Sequence, residues 1–153
     1  ALYKGVLHHH GNQLPKWLLE TIGIYVSLLN GCAYCVAHHR EGLRRLLPNE
    51  ERAAAIFAAL ETGQFAGVFD EREQAILGYA RQLTQSPATV AEAEIVALRT
   101  AGLDDGEILE VNQVSSYFAY VNRTVLGLGV TTPGDSPELA PGDTADPPKR
   151  PLG

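Results

Sequence analysis

The stretch Trp17–Leu29 carries almost nothing but apolar side chains and one acid, Glu20, and it leads directly into the chain's only two cysteines, Cys32 and Cys35, with His39 one helical turn further on. Pro15 suits a first helical turn and Gly31 a C-terminal stop, which predicts a helix over about 15–30. A helix apolar on every side must be covered on every side, by its own domain or by another subunit, so a homo-oligomer and a central core position within one subunit account for it about equally well. It contains an acid and falls short of the roughly 20 residues a bilayer requires, which makes it a core helix and not a membrane span.

Period-2 runs bounded by Asn-Gly or Asp-Gly are missing, while helix-length stretches rich in Ala, Leu, Glu and Arg follow one another. An all-α fold of about six helices is therefore expected. A second helix runs from Cys32 to about Leu47 and stops at Pro48. A third fits Asn49–Glu61 and a fourth Asp70–Thr84. Thr89 with Glu92 reads as the capping box of a fifth that ends at Gly102, and Asp104 or Asp105 caps a sixth over about 105–127. The sixth is again apolar nearly all round, which calls for cover by its own domain or by a second subunit. From Thr131 the composition turns to Pro, Gly and Asp. The expected organisation is thus a helical domain over 1–130 and an extended or disordered tail over 131–153.

The two cysteines are separated by two residues, so their disulfide would close too small a loop to restrain an unfolded chain of 153 residues. Such a pair is suited instead to giving up two electrons and regaining them. At a helix start, unpaired N–H groups and the positive end of the helix dipole favour a thiolate. His39 lies four residues beyond Cys35, on the same helix face. Counting at about 1.5 Å per residue from the turn at Gly31 brings Glu20 near the level of His39, if the two helices fold back on each other. Glu20, His39 and Cys35 then form a proton path, and Trp17, Leu18, Ile24 and Tyr25 would take the carboxyl group out of water, the setting of many general bases.

Other readings of these residues exist. Cys32 and Cys35 would make half of a zinc site, with His38 or His39 as a third ligand, but no further Cys or clustered His follows at finger-like spacing. Haem attachment would need His directly after the second cysteine, where Val36 stands. Glu20 alone would equally suit an ion pair with Arg40 or Arg44. His8, His9 and His10 read as a solvated run. No metal and no bound cofactor is expected. With a net charge of −6, neither nucleic acid nor an anionic membrane is indicated as a partner. A CxxC pair with no secretion signal fits a reducing compartment, so a cytoplasmic location is expected.

The pattern E-x11-C-x2-C-x3-H, filled by Glu20, Cys32, Cys35 and His39, resembles the alkylhydroperoxidase D family within the carboxymuconolactone decarboxylase-like superfamily. Residues 26–47 and 101–130 look more specifically like its peroxidase-related branch, and the similarity covers about 15–130. The resemblance implies an AhpD-like helical bundle and a thiol-dependent peroxidase that reduces organic hydroperoxides. It implies that Cys35 attacks the peroxide, that Cys32 resolves the resulting sulfenic acid, and that Glu20 and His39 relay protons. It also implies an external dithiol or lipoyl-bearing protein as reductant. One position departs: Tyr34 stands directly before the second cysteine, where the best-understood members have His, and a phenol does not titrate near neutrality. Two further readings are a redox-responsive module without turnover and a decarboxylase-like enzyme; the superfamily's lactone decarboxylases do not depend on a CxxC pair.

Overall fold

The computed structural model describes residues 2–131, and among them every regular element is helical. The helices are α1 (Leu2–Leu7), α2 (Lys16–Leu29), α3 (Ala33–Leu46), α4 (Glu50–Thr62), α5 (Glu71–Gln85), α6 (Glu92–Thr100) and α7 (Asp105–Gly127), with a single 3-10 turn at Pro87–Thr89. The all-α expectation holds, and six of the seven helices follow the predicted order. α1 is the addition. The Pro/Gly/Asp-rich tail expected over 131–153 lies, Thr131 apart, outside the described residues.

α2 is the axis of the domain. Every residue from Leu18 to Ser27 is buried, and the helix packs against α3, α4, α5 and α7. Leu19, Ile22, Ile24 and Val26 have no exposed surface at all, and full burial of each such side chain stabilises the fold by about 1.5–3 kcal/mol. The central position within one subunit therefore accounts for the all-round apolar character of α2. α7 differs: it buries Ile108, Val111, Val114 and Phe118 but leaves Leu109 and Tyr120 55% and 61% exposed.

Local chemistry explains the helix ends. Asp104 caps α7, its Oδ1 accepting from the Glu107 N–H at 2.8 Å while Glu107 Oε2 accepts from the Asp104 N–H at 3.1 Å. Asp70 and Glu73 do the same for α5, and the Asn49 side chain caps α4. The capping box expected at Thr89 and Glu92 does not form. The Thr89 hydroxyl donates to the Ser86 carbonyl within the 3-10 turn, and α6 starts two residues later, where Glu94 Oε2 accepts from the Ala91 N–H at 2.8 Å. Pro87 fixes that turn, because it cannot donate and presets φ.

α2 and α3 are joined by a very short connection. The Gly31 N–H donates to Leu28 O and the Cys32 N–H to Ser27 O, at 3.1 and 2.9 Å, which is the double-bonded helix ending known as a Schellman motif. Gly31 supplies the positive φ of 69° that this ending requires. Cys32 completes the motif and is at the same time the cap residue of α3. The antiparallel hairpin therefore turns on the first cysteine.

Candidate active site

The hairpin brings Glu20 and His39 together. His39 Nδ1 and Glu20 Oε2 are 2.7 Å apart, and the two residues are only 8% and 5% exposed. Level-matching from the turn had placed Glu20 beside His39 and not beside Cys32, and the geometry agrees. The alternative partners for Glu20 are engaged elsewhere: Arg44 pairs with Glu41 and Glu50, and the Arg40 guanidinium lies 4.0 Å above the Phe57 ring. A buried carboxylate would be costly alone; facing an imidazole at hydrogen-bonding distance it has the partner burial demands.

Cys32 and Cys35 are joined as a disulfide with their Cα atoms 5.3 Å apart, and both are buried. Cys35 and His39, four residues apart on α3, lie on one face a turn apart. Glu20, His39 and Cys35 therefore follow one another across the α2–α3 interface, with Cys32 at the hairpin's end.

Several residues around this set were not singled out from the sequence. A Cβ on Gly23 would lie 2.2 Å from Phe118 Cζ, so only glycine lets the Phe118 ring reach α2. That ring stands edge-on to His39, centroids 4.6 Å apart at 78°, and holds the imidazole from the α7 side. Gly42, three residues beyond His39, faces the Glu20 carboxyl, where a Cβ would make an ordinary contact 3.4 Å from Oε2. Glycine inside an otherwise good helix was the available signal.

α1 covers the pair from outside. The connection from α1 to α2 is tied to α7, the Gln13 and Leu14 N–H groups donating to Glu110 at 2.7 and 3.0 Å. Tyr3 then lies 6.4 Å from the His39 ring and 6.2 Å from Tyr117. Partial burial, followed by the nearby Glu20 charge, pushes the Tyr3 phenol above its ordinary value. Tyr117 is pushed up by burial, then by Tyr120 and Glu20. Both phenols thus remain protonated donors at neutral pH beside the carboxylate.

Tyr34 stacks almost parallel to His38 at 6.4 Å, and His38 stands edge-on to His39 at 5.1 Å. The N-terminal histidines converge on nothing: His8 packs on Tyr3 and His9 on His10. Among the described residues no group of three His, Cys, Asp or Glu side chains is arranged to hold a metal ion, and no helix is long and apolar enough to cross a membrane.

A second buried polar cluster lies at the other end of α2. Asn122 Nδ2 donates to Ser27 Oγ at 2.9 Å, and Asn30 Nδ2 donates to Asn122 Oδ1 at 3.0 Å. Ser27 and Asn30 both belong to the helix ending that carries Cys32, so α7 pins that turn through one amide.

Residues 1–82 match the carboxymuconolactone decarboxylase family, and the chain belongs to it. The uncharacterized protein YdfG of Bacillus subtilis (strain 168) is 26% identical over 114 residues, 72% of either chain. Among solved structures, an uncharacterized peroxidase-related protein from Silicibacter sp. TM1040 superposes with a TM-score of 0.76 at 25% identity, over 85% of this chain and 65% of that one. The chain thus spans just under two thirds of that neighbour. An uncharacterized peroxidase-related protein from Ralstonia eutropha JMP134, described as an alkylhydroperoxidase AhpD core, gives 0.75 at 23% identity over 86% and 67% of the two chains. The debrominase Bmp8, at 21% identity, gives 0.73 over the same shares, 86% and 67%. The last two likenesses establish the fold, which hosts more than one chemistry.

Proposed function

We propose that this chain is a thiol-dependent peroxidase that reduces alkyl hydroperoxides with Cys32, Cys35, Glu20 and His39. The observation that carries the reading is the buried Glu20–His39 pair at 2.7 Å, one helical turn from Cys35. In the reduced protein the pair accepts the Cys35 proton. The thiolate attacks the outer oxygen of the O–O bond, the bond's electron pair leaves on the alkoxide, and the held proton converts it to the alcohol. Cys35 is now a sulfenic acid. Cys32 attacks its sulfur, water leaves, and the disulfide forms. An external dithiol reopens the bridge by exchange.

The Glu20–His39 contact also meets the departure at Tyr34. In this reading the acid hands its proton to His39 directly, without an imidazole at position 34. Oligomerisation is part of the same proposal, supported by the exposed apolar side chains of α7, Leu109 and Tyr120 on one face and Leu126 near its end. So is a reducing, cytoplasmic setting in which the pair can cycle.

The test supplies dithiothreitol and cumene hydroperoxide and follows peroxide loss in the parent, Cys35→Ser and Glu20→Gln proteins. Many turnovers per molecule, lost in Cys35→Ser, are expected. One oxidation with no cycle would instead identify a redox-responsive module. An activity that survives loss of both cysteines would point to decarboxylase-like chemistry.

A further inference from the structure

One buried stripe of α7 reaches both halves of the redox site. Phe118 on that stripe stands against His39. Asn122, one turn further on and without exposed surface, reaches the turn between α2 and α3. Its Nδ2 donates to Ser27 Oγ at 2.9 Å, and its Oδ1 accepts from Asn30 Nδ2 at 3.0 Å. The Ser27 carbonyl in turn accepts from the Cys32 N–H at 2.9 Å. A single amide of α7 thus grips, at two points, the turn that delivers Cys32. The grip matters most when the bridge is open. In the oxidised protein the S–S bond itself ties Cys32 to Cys35. In the dithiol, what holds Cys32 is its N–H bond to Ser27 O and the bond its own carbonyl accepts from the Val36 N–H at 3.0 Å. The Cys32 side chain caps no backbone group of α3, and a helix start without such a cap frays. Held from the Ser27 side, the first turn of α3 stays wound.

We propose that Asn122 is a positioning residue of the redox pair. By clamping Ser27 and Asn30 it keeps the Cys32 thiol within bonding reach of Cys35 in the reduced protein. That lowers the reduction potential of the bridge and favours resolution of the Cys35 sulfenic acid over its further oxidation. The second effect rests on the thiol-peroxidase reading above; the first does not. The sulfenic acid has two fates. Cys32 attacks its sulfur, the S–O bond breaks, water leaves and the disulfide forms; or a second hydroperoxide transfers its outer oxygen to the sulfur and departs as alcohol, leaving the sulfinic acid. The first is intramolecular, so its rate follows the effective concentration of Cys32 beside Cys35. A loosened Cys32 loses that competition more often. The same effective concentration governs how firmly the bridge is held against an external dithiol.

The experiment equilibrates parent, Asn122→Ala, Ser27→Ala and Leu98→Ala proteins with graded mixtures of reduced and oxidised dithiothreitol, with no peroxide present. Quenched alkylation and mass measurement count the protein thiols. Leu98 is buried on α6, which packs on α5 and α7, and its truncation costs at least as much stability as loss of the amide. It therefore controls for destabilisation alone. Freeing about one residue's backbone at the turn corresponds to roughly a tenfold shift toward the dithiol in Asn122→Ala, a rise in midpoint potential of about 30 mV for two electrons. Ser27→Ala, which keeps the Asn30 bond, should shift the same way by about threefold, and Leu98→Ala should keep the parent's midpoint. Under excess cumene hydroperoxide and dithiothreitol, Asn122→Ala should also accumulate about ten times more sulfinic acid per turnover than the parent. Its initial turnover should stay close to the parent's, because the attack at Cys35 is untouched. A parent-like midpoint in Asn122→Ala, a parent-like sulfinic yield where the parent turns over, or an equal shift in Leu98→Ala would overturn the proposal. Should Asn122→Ala not fold, Ser27→Ala decides by the same criteria. A parent without peroxide turnover would remove the peroxidase reading and leave the midpoints to decide the clamp.

Discussion

α2 buries two polar clusters, and they are built on opposite principles. Toward its N-terminal half Glu20 meets His39, two ionisable groups whose polar atoms lie 2.7 Å apart. At its C-terminal end Ser27 and Asn30 meet Asn122, three groups that never ionise. The first cluster sits one turn from a cysteine and is enclosed by Phe118 and the phenols of Tyr3 and Tyr117. The second braces the backbone turn that holds the other cysteine. A neutral network fixes shape because each member has its partner and no charge has to be moved. An ionisable pair in the same kind of interior is poised to move one. Under the proposed function, the contrast puts chemistry at one end of α2 and geometry at the other.

The strongest way to sharpen that contrast is Cys35→Ser, which should abolish peroxide turnover while leaving the far-ultraviolet circular dichroism of the helices unchanged. Glu20→Gln comes next. The amide still accepts a hydrogen bond from His39 but cannot take up the proton, so peroxide turnover should fall by roughly 10²-fold, the scale of general base catalysis. Retention of full activity in Glu20→Gln would reduce the first cluster to another brace.

Gly23→Ala tests what supports the ionisable cluster. The gain of about 1 kcal/mol in helix propensity is smaller than the overpacking that follows from a Cβ 2.2 Å from Phe118, which costs up to about 3 kcal/mol. Urea denaturation should show a net loss of stability. Peroxide turnover should fall with it, because the displaced ring is the one that holds His39.

Asn122→Ala should cost about 1–3 kcal/mol by leaving Ser27 and Asn30 short of a buried partner, with turnover per folded molecule close to the parent's. A turnover loss on the scale of Glu20→Gln would erase the distinction between the two clusters. The smallest effect concerns the phenols. Burial pushes Tyr3, Tyr25 and Tyr117 above the ordinary value, so the folded protein keeps these protons longer than the unfolded chain. The associated stability is present below about pH 10 and is lost as pH rises through the raised values. Denaturant titrations between pH 9 and about 11 should show this decline, and it should be shallower in the Tyr3→Phe, Tyr117→Phe protein.

Much of the first cluster was legible from the residue order. An acid in an apolar helix, a glycine stop, and Cys35 and His39 four apart suffice, through helical rise and period alone, to put Glu20 level with His39. The capping pairs Asp70 with Glu73 and Asp104 with Glu107 were equally local and equally readable. Thr89 misled because a proline two residues before it converts the same hydroxyl from a helix cap into a brace for a 3-10 turn. α1 had no periodic signal over its six residues; it is held by long-range packing on α7, while Glu110 ties down the connection that follows it.

Short-range rules therefore decide the elements, the hairpin turn and the pairing of Glu20 with His39, since helical rise, period and capping act over a few residues. Which polar groups find partners across distant helices is another matter. Asn122 with Ser27 and Gly23 with Phe118 are separated by most of the chain and Tyr3 over His39 by several helical turns and a loop, and each depends on where whole helices come to rest. Only the packing of complete surfaces, driven by apolar burial that has no preferred direction, sets those meetings.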